Sequence, residues 1–194
     1  MTKTKEKLNV PREKYLTAGV HIGMTTKTVN MKRFIYKIRP TGLAVLNVGT
    51  LDKRLVYAVN LLADMKKILV VSKKENGFDA VKKFAESIDA KAVTGRFMPG
   101  SLTNPSYKEF FEPELMIVTD PLADKQAIKE AISMRIPIIG LADTFNDTSY
   151  LDLVLPCNNK GKKSLALVYW ILAKLINEKR GKEFKLVVED FGYE

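Results

Sequence analysis

The chain has 194 residues, 46% apolar and 28% charged, with a net charge of +10 and a single cysteine, Cys157. That length suits one soluble domain with a full core. One cysteine excludes an internal disulfide and a multi-cysteine zinc site, which makes a reducing, cytoplasmic setting the default. The first residues, MTKTKEKLNV, are charged and carry no apolar h-region, so no secretory signal is expected. The longest apolar run, residues 165–173, is nine residues long. A membrane span needs about 18 or more, so the run reads as a buried helix and no membrane partner is expected.

A short helix is expected near residues 11–18, followed by an irregular zone over 19–40. From there the pattern alternates between β-branched apolar runs and helical periodicity. Residues 43–48 (LAVLNV) read as the first strand. A helix over 51–63 follows, with Thr50 as its N-cap and Leu51, Leu55, Val59 and Leu62 on one face. Strands follow at 68–71, 92–94, 115–119, 138–142 and 153–155, with helices over 78–88, 123–134 and 162–180. Gly181 is placed to end the last helix. The strands are apolar on both faces, which points to a parallel sheet covered by helices on both sides. Right-handed crossovers then give a three-layer α/β/α sandwich. The expected organisation is a basic N-terminal segment (1–40) packed on an α/β core (41–181), with a C-terminal tail (182–194).

One connection breaks the rhythm. Residues 95–114 contain Gly95, Pro99, Gly100, Pro105 and Pro113, which forbid a continuous helix. Phe97, Tyr107, Phe110 and Phe111 favour an ordered, functional loop. In the tail, Phe184, Leu186, Val187, Val188 and Phe191 are expected either to dock on a neighbour or to add a strand to the sheet.

Open parallel sheets bind ligands beyond the carboxyl ends of their strands, but no cofactor is expected there. No G-x-G-x-x-G follows a strand, and the stretch 159–164 (NKGKKS) fails the P-loop pattern at two positions. Asp120 and Asp143 each end a strand. They read first as caps and turns; the alternative is a magnesium-dependent hydrolase or phosphotransfer pair. His21 lies in a basic, glycine-bounded loop, where it is able to stack on a base, contact phosphate or fix the backbone.

The charge is unevenly placed. Ten lysines and arginines against two glutamates lie in the first 39 residues, so that end holds eight of the ten net charges. A neutral body with a basic front end is the footprint of a polyanion binder. In residues 27–39 (KTVNMKRFIYKIR) Lys27, Lys32, Arg33, Lys37 and Arg39 alternate with Phe34, Tyr36, Ile35 and Ile38. On an extended segment Phe34, Tyr36 and Ile38 share a face that would dock on the body, leaving the cationic face for phosphates. Arg96 opens the long loop. Asn158, Asn159, Lys160, Lys162 and Lys163 gather at the start of the last helix, where N–H groups and the dipole favour anions. Separated basic clusters around one rigid domain suit folded RNA better than a regular duplex groove.

Four stretches resemble the small-subunit ribosomal protein S-two family: 18–23 (AGVHIG), 95–105 (GRFMPGSLTNP), 117–121 (IVTDP) with 127–131 (AIKEA), and 136–144 followed by 156–159 (PCNN). Their order and spacing are similar to that family over residues 8–180, and closest to its archaeal branch. The bacterial coiled-coil insertion and the long acidic tail of the eukaryotic branch (ribosomal protein SA) are both absent. The resemblance implies a flavodoxin-like parallel sheet and a structural rRNA-binding role on the small subunit near the head–body junction. It also implies neighbouring ribosomal proteins as partners, with no catalysis, no nucleotide cofactor and no small-molecule substrate. SA is known also as a laminin-receptor precursor, which raises a surface-adhesion reading. The missing signal and membrane span argue against it.

Overall fold

The computed structural model describes residues 8–193. Five strands form a parallel sheet: β3 (Ile68–Ser72), β4 (Lys91–Thr94), β5 (Leu115–Val118), β6 (Ile138–Ala142) and β7 (Leu153–Pro156). Their spatial order is β4-β3-β5-β6-β7. Counted within the sheet this is 2-1-3-4-5, the flavodoxin-like order, whose direction reverses between β3 and β5.

Alternation along the strands assigns the two faces. Ile68 and Val70 of β3, with Leu115 and Ile117 of β5, meet helices α2 (Val48–Leu62), α3 (Phe78–Ile88) and α5 (Lys162–Lys179). Leu69, Val71, Met116 and Val118 point the other way, against α4 (Lys125–Ser133) and the long loop. The result is the expected three-layer sandwich. The 95–114 loop is ordered by burial of Phe97 and Leu102 in the second core. The buried carboxylate of Glu130 on α4 also accepts from Gly100 N at 2.9 Å and Leu102 N at 3.2 Å.

Two expectations for the first strand fail. β2 covers Ala44–Leu46 and pairs antiparallel with β1 (Ile35–Ile38) in a separate two-stranded ribbon, outside the parallel sheet. The extended run is short because α2 starts early. Asn47, not Thr50, caps it, accepting from Gly49 N at 3.0 Å and Thr50 N at 3.4 Å. A third core patch of Met31, Phe34, Leu46, Ala142 and Val154 seats the ribbon against the β6–β7 edge.

The residues before the ribbon are tied down by α2. Helix α1 (Arg12–Thr17) presents Tyr15, whose hydroxyl donates to buried Asp52 at 2.7 Å, and Asn9 donates to the same carboxylate. At the other end, Gly181 adopts a left-handed φ of +69° just beyond α5. Among the described residues the tail adds no strand and packs on the body. Trp170 Nε1 donates to Leu186 O at 2.9 Å, and a single turn at Val188–Phe191 buries Phe191 with α3 and α5.

Candidate nucleic-acid interface

The carboxyl edge of the sheet, where this fold holds ligands, is occupied by the chain itself. Asn146 links the Asp120 carboxylate to the backbone of Asp143. Its Nδ2 donates to Asp120 Oδ1 at 2.8 Å, and its Oδ1 accepts from Asp143 N at 2.8 Å and Asn159 Nδ2 at 3.0 Å. Asp120 also pairs with Lys74 and accepts from Leu122 N, while Asp143 accepts from Thr144 N at 2.6 Å. Burial pushes the Asp143 carboxyl above its ordinary range. Asp124 caps the same region, accepting from Lys73 N and Asp120 N, and burial raises it to about 6.

Residues 20–28 then cover this edge. Thr28 N donates to Thr144 O, and Met24 N to Thr144 Oγ1, both at 2.9 Å. Gly23 passes so close that an added Cβ would lie 2.6 Å from Thr144 Cγ2 and 3.1 Å from Ala44 O. The glycine of the 18–23 motif and the Asp143-Thr144 pair are therefore two halves of one packing contact. Asp120 and Asp143 are bridged by an amide and do not converge on an open position. Among the described residues no three His, Cys, Asp or Glu side chains gather as a metal site. The hydrolase reading has no support here. Cys157 is buried, and burial pushes its thiol far up, into an inert protonated form.

The basic margin is arranged in the opposite way. Lys32, Arg33, Lys37, Arg39 and Arg96 are all exposed, and none pairs with a carboxylate among the described residues. Lys27 is half-buried and likewise without an ion pair. The docked aromatic face expected for this segment does not form. Phe34 is buried, but Tyr36 is 60% exposed and Ile38 56%. A 3-10 turn at Lys32–Phe34 and a register irregularity between Ile35 and Lys37 break the alternation, so Phe34 alone of the three reaches the core.

His21 is buried, its backbone oxygen accepting from Leu46 N at 2.8 Å, and its Nδ1 has no partner. Burial, reinforced by the Arg39 and Arg12 charges and opposed by a hydrogen bond to the Tyr15 backbone, holds it below the usual histidine range. It is neutral at pH 7 and adds nothing to the positive field.

The cluster before α5 divides. Asn159 is fully buried and donates to Leu141 O and Asn146, so it belongs to the closed network and is removed from the RNA-facing set. Asn158 turns its Oδ1 onto Lys160 N and Gly161 N. Both N–H groups lie before α5, whose N-cap Gly161 has no side-chain cap. Lys160 Nζ sits 4.3 Å from the Phe145 ring centroid. Lys162 reaches Asp79 at 3.5 Å and Lys163 is exposed. Sequence reasoning missed Arg54, which the fold brings from α2 to the Phe34 ring, 4.8 Å from its centroid. Its helical spacing marks only a partly exposed face, and its partner is twenty residues away in sequence.

The fold and its margin define a closed α/β scaffold protein with an open cationic edge. The chain belongs to the family described as ribosomal protein S2, whose pattern matches residues 15–109 and 107–179. Its relatives include archaeal proteins named small ribosomal subunit protein uS2. That of Thermoplasma acidophilum is 47% identical over 193 residues, covering 96% of this chain and 97% of the relative. That of Staphylothermus marinus is 50% identical over 182 residues, 93% and 83% of the two chains. That of Haloquadratum walsbyi is 47% identical over 186 residues, 95% and 67%.

Proposed function

We propose that this protein is a structural component of the small ribosomal subunit. It binds rRNA and neighbouring ribosomal proteins, supports subunit assembly and translation, and catalyses no reaction. Its site of action is the ribosome in the cytoplasm. Among the described residues no helix is long and apolar enough to cross a membrane. Family membership supports the ribosomal role. The observation that carries RNA contact is the row of exposed cations at 32–39 without carboxylate partners, since counterions released from phosphates by such groups drive association. Arg96, Lys27, Lys160, Lys162 and Lys163 extend the row into separate contact points.

Binding to small-subunit rRNA is expected to weaken steeply with salt. About six phosphate contacts lower affinity roughly a thousandfold between 50 and 200 mM salt. In a native lysate the protein is expected to sediment with small subunits and to lose that position after RNase treatment. A flat salt titration, or sedimentation as a free protein, would count against the reading.

A further inference from the structure

Two guanidiniums lie over the Phe34 ring, Arg33 at 4.7 Å and Arg54 at 4.8 Å from its centroid. Both charges therefore sit beside one ring, and Arg54 lies within the field of Arg33. The ring is fixed in the third core patch. Arg54 is fixed as well, since its Nη1 donates to Val154 O at 3.1 Å on β7. Burial first, and the Arg33 charge after it, pulls Arg54 below the usual arginine range. Neither arginine pairs with a carboxylate among the described residues.

A like-charge pair held on a rigid plate and left without a counter-charge is built for an anion that arrives from outside. Stacking uses the flat face of a guanidinium. Its N–H donors lie in the plane and remain free at the edges for two-pronged hydrogen bonds. A lysine ammonium neither stacks flat nor offers a fork. We propose that Arg33 and Arg54 together clamp a phosphodiester of folded RNA, with Phe34 as the plate that orients both. This rests on the rRNA-binding reading and makes the geometry of the pair, beyond its charge, the recognising element.

The test is binding of the purified protein to full-length small-subunit rRNA across a salt series. Arg33→Lys, Arg54→Lys and the double variant are compared with Lys37→Arg as control. Each arginine-to-lysine change keeps the charge, so the salt slope stays nearly unchanged. Affinity is expected to fall about threefold to tenfold. The double variant is expected to lose little more than either single one, because a clamp with one fork gone no longer closes. Arg33 is exposed, so Arg33→Lys should melt like the unaltered protein and remains informative even if Arg54→Lys unfolds.

Variants that bind within twofold of the unaltered protein would overturn the clamp while leaving the RNA-binding reading intact. If the unaltered protein itself binds without salt dependence, both fall together. Loss of subunit incorporation with unchanged rRNA affinity would assign the pair to a protein carboxylate and also overturn the clamp.

Discussion

The carboxyl edge of the sheet and the β1–β2 margin are both rich in polar side chains, yet they are wired in opposite ways. At the edge, Asp120, Asp124, Asp143, Asn146 and Asn159 are buried and bonded to one another or to backbone. At the margin, Lys32, Arg33, Lys37 and Arg39 point into solvent with no ion pair among the described residues. Buried polar groups seek partners inside, and apart from Asn159 Oδ1 the side-chain atoms of this network have found them. Exposed groups of one sign repel and are stabilised by what binds them. Carboxylates at strand ends therefore hold this fold together, and the residues that lack partners are the ones left to bind something outside it.

The largest expected effect comes from opening the closed network. Asp120→Ala removes the counter-charge of Lys74 and the acceptor of Asn146 Nδ2. Leaving a mostly buried charge unpaired costs about 3 to 4 kcal/mol, toward the low end because Lys74 reaches solvent. Urea unfolding is expected to show that loss, and magnesium is expected to leave the midpoint of either protein unmoved. A stability gain on adding magnesium, abolished by Asp143→Asn, would revive metal chemistry at this edge.

Next comes acidity. The folded-state value of Asp124, about 6, lies above its ordinary 3.8. The folded chain thus holds this proton more tightly than the unfolded chain does, and burial of the charged form is the destabilising state. The contribution is fully present below about pH 4, is lost as pH rises through about 6, and amounts to about 2 to 3 kcal/mol. Asp124→Asn is expected to flatten that part of the stability–pH curve. It also lowers stability throughout, because one of the two backbone N–H groups bound by the carboxylate would face an amide N–H. Parallel pH curves for the two proteins would disprove the assignment.

A smaller loss is expected from Gly23→Ala. The added Cβ meets Thr144 Cγ2 at 2.6 Å and a backbone oxygen at 3.1 Å, an overpacking of about 2 kcal/mol. The double variant Gly23→Ala, Thr144→Ser removes the crowding methyl, and recovery of part of the stability is the expected result. No recovery would mean that the backbone oxygen alone sets the limit.

These contrasts also show which parts of the molecule a sequence reveals. The parallel sheet was legible because β3, β5 and β6 are apolar on both faces, a pattern with one packing solution. Gly181 was legible because the end of α5 needs a left-handed residue. The ribbon was not, because Asn47 ended strand β2 after three residues and the irregularity at Ile35–Lys37 shifted every later side chain. Asn159 read as RNA-facing from the lysines around it, yet its amide is drawn inward by Leu141 O and Asn146, which lie 18 and 13 residues away. Arg54 carried no signal at all, since only the tertiary fold brings it to Phe34.

The smallest effect on stability is expected at the open margin, and there the contrast is sharpest. Lys37 and Arg39 have exposed side chains on or beside β1 and no ion pair among the described residues. The double change Lys37→Gln, Arg39→Gln should move unfolding by no more than about 0.5 kcal/mol, as for most surface substitutions. The same change deletes two cations from the row proposed to meet phosphates, so the salt slope of rRNA binding should fall by about 1.4 to 1.8. His21 supplies an independent readout. The Arg39 charge helps to depress its titration, so NMR should find the imidazole titrating higher in the double variant. A protein that unfolds on this change would move the margin into the same class as the carboxyl edge. One that stays folded and keeps its salt slope would place the phosphate contacts elsewhere on the surface.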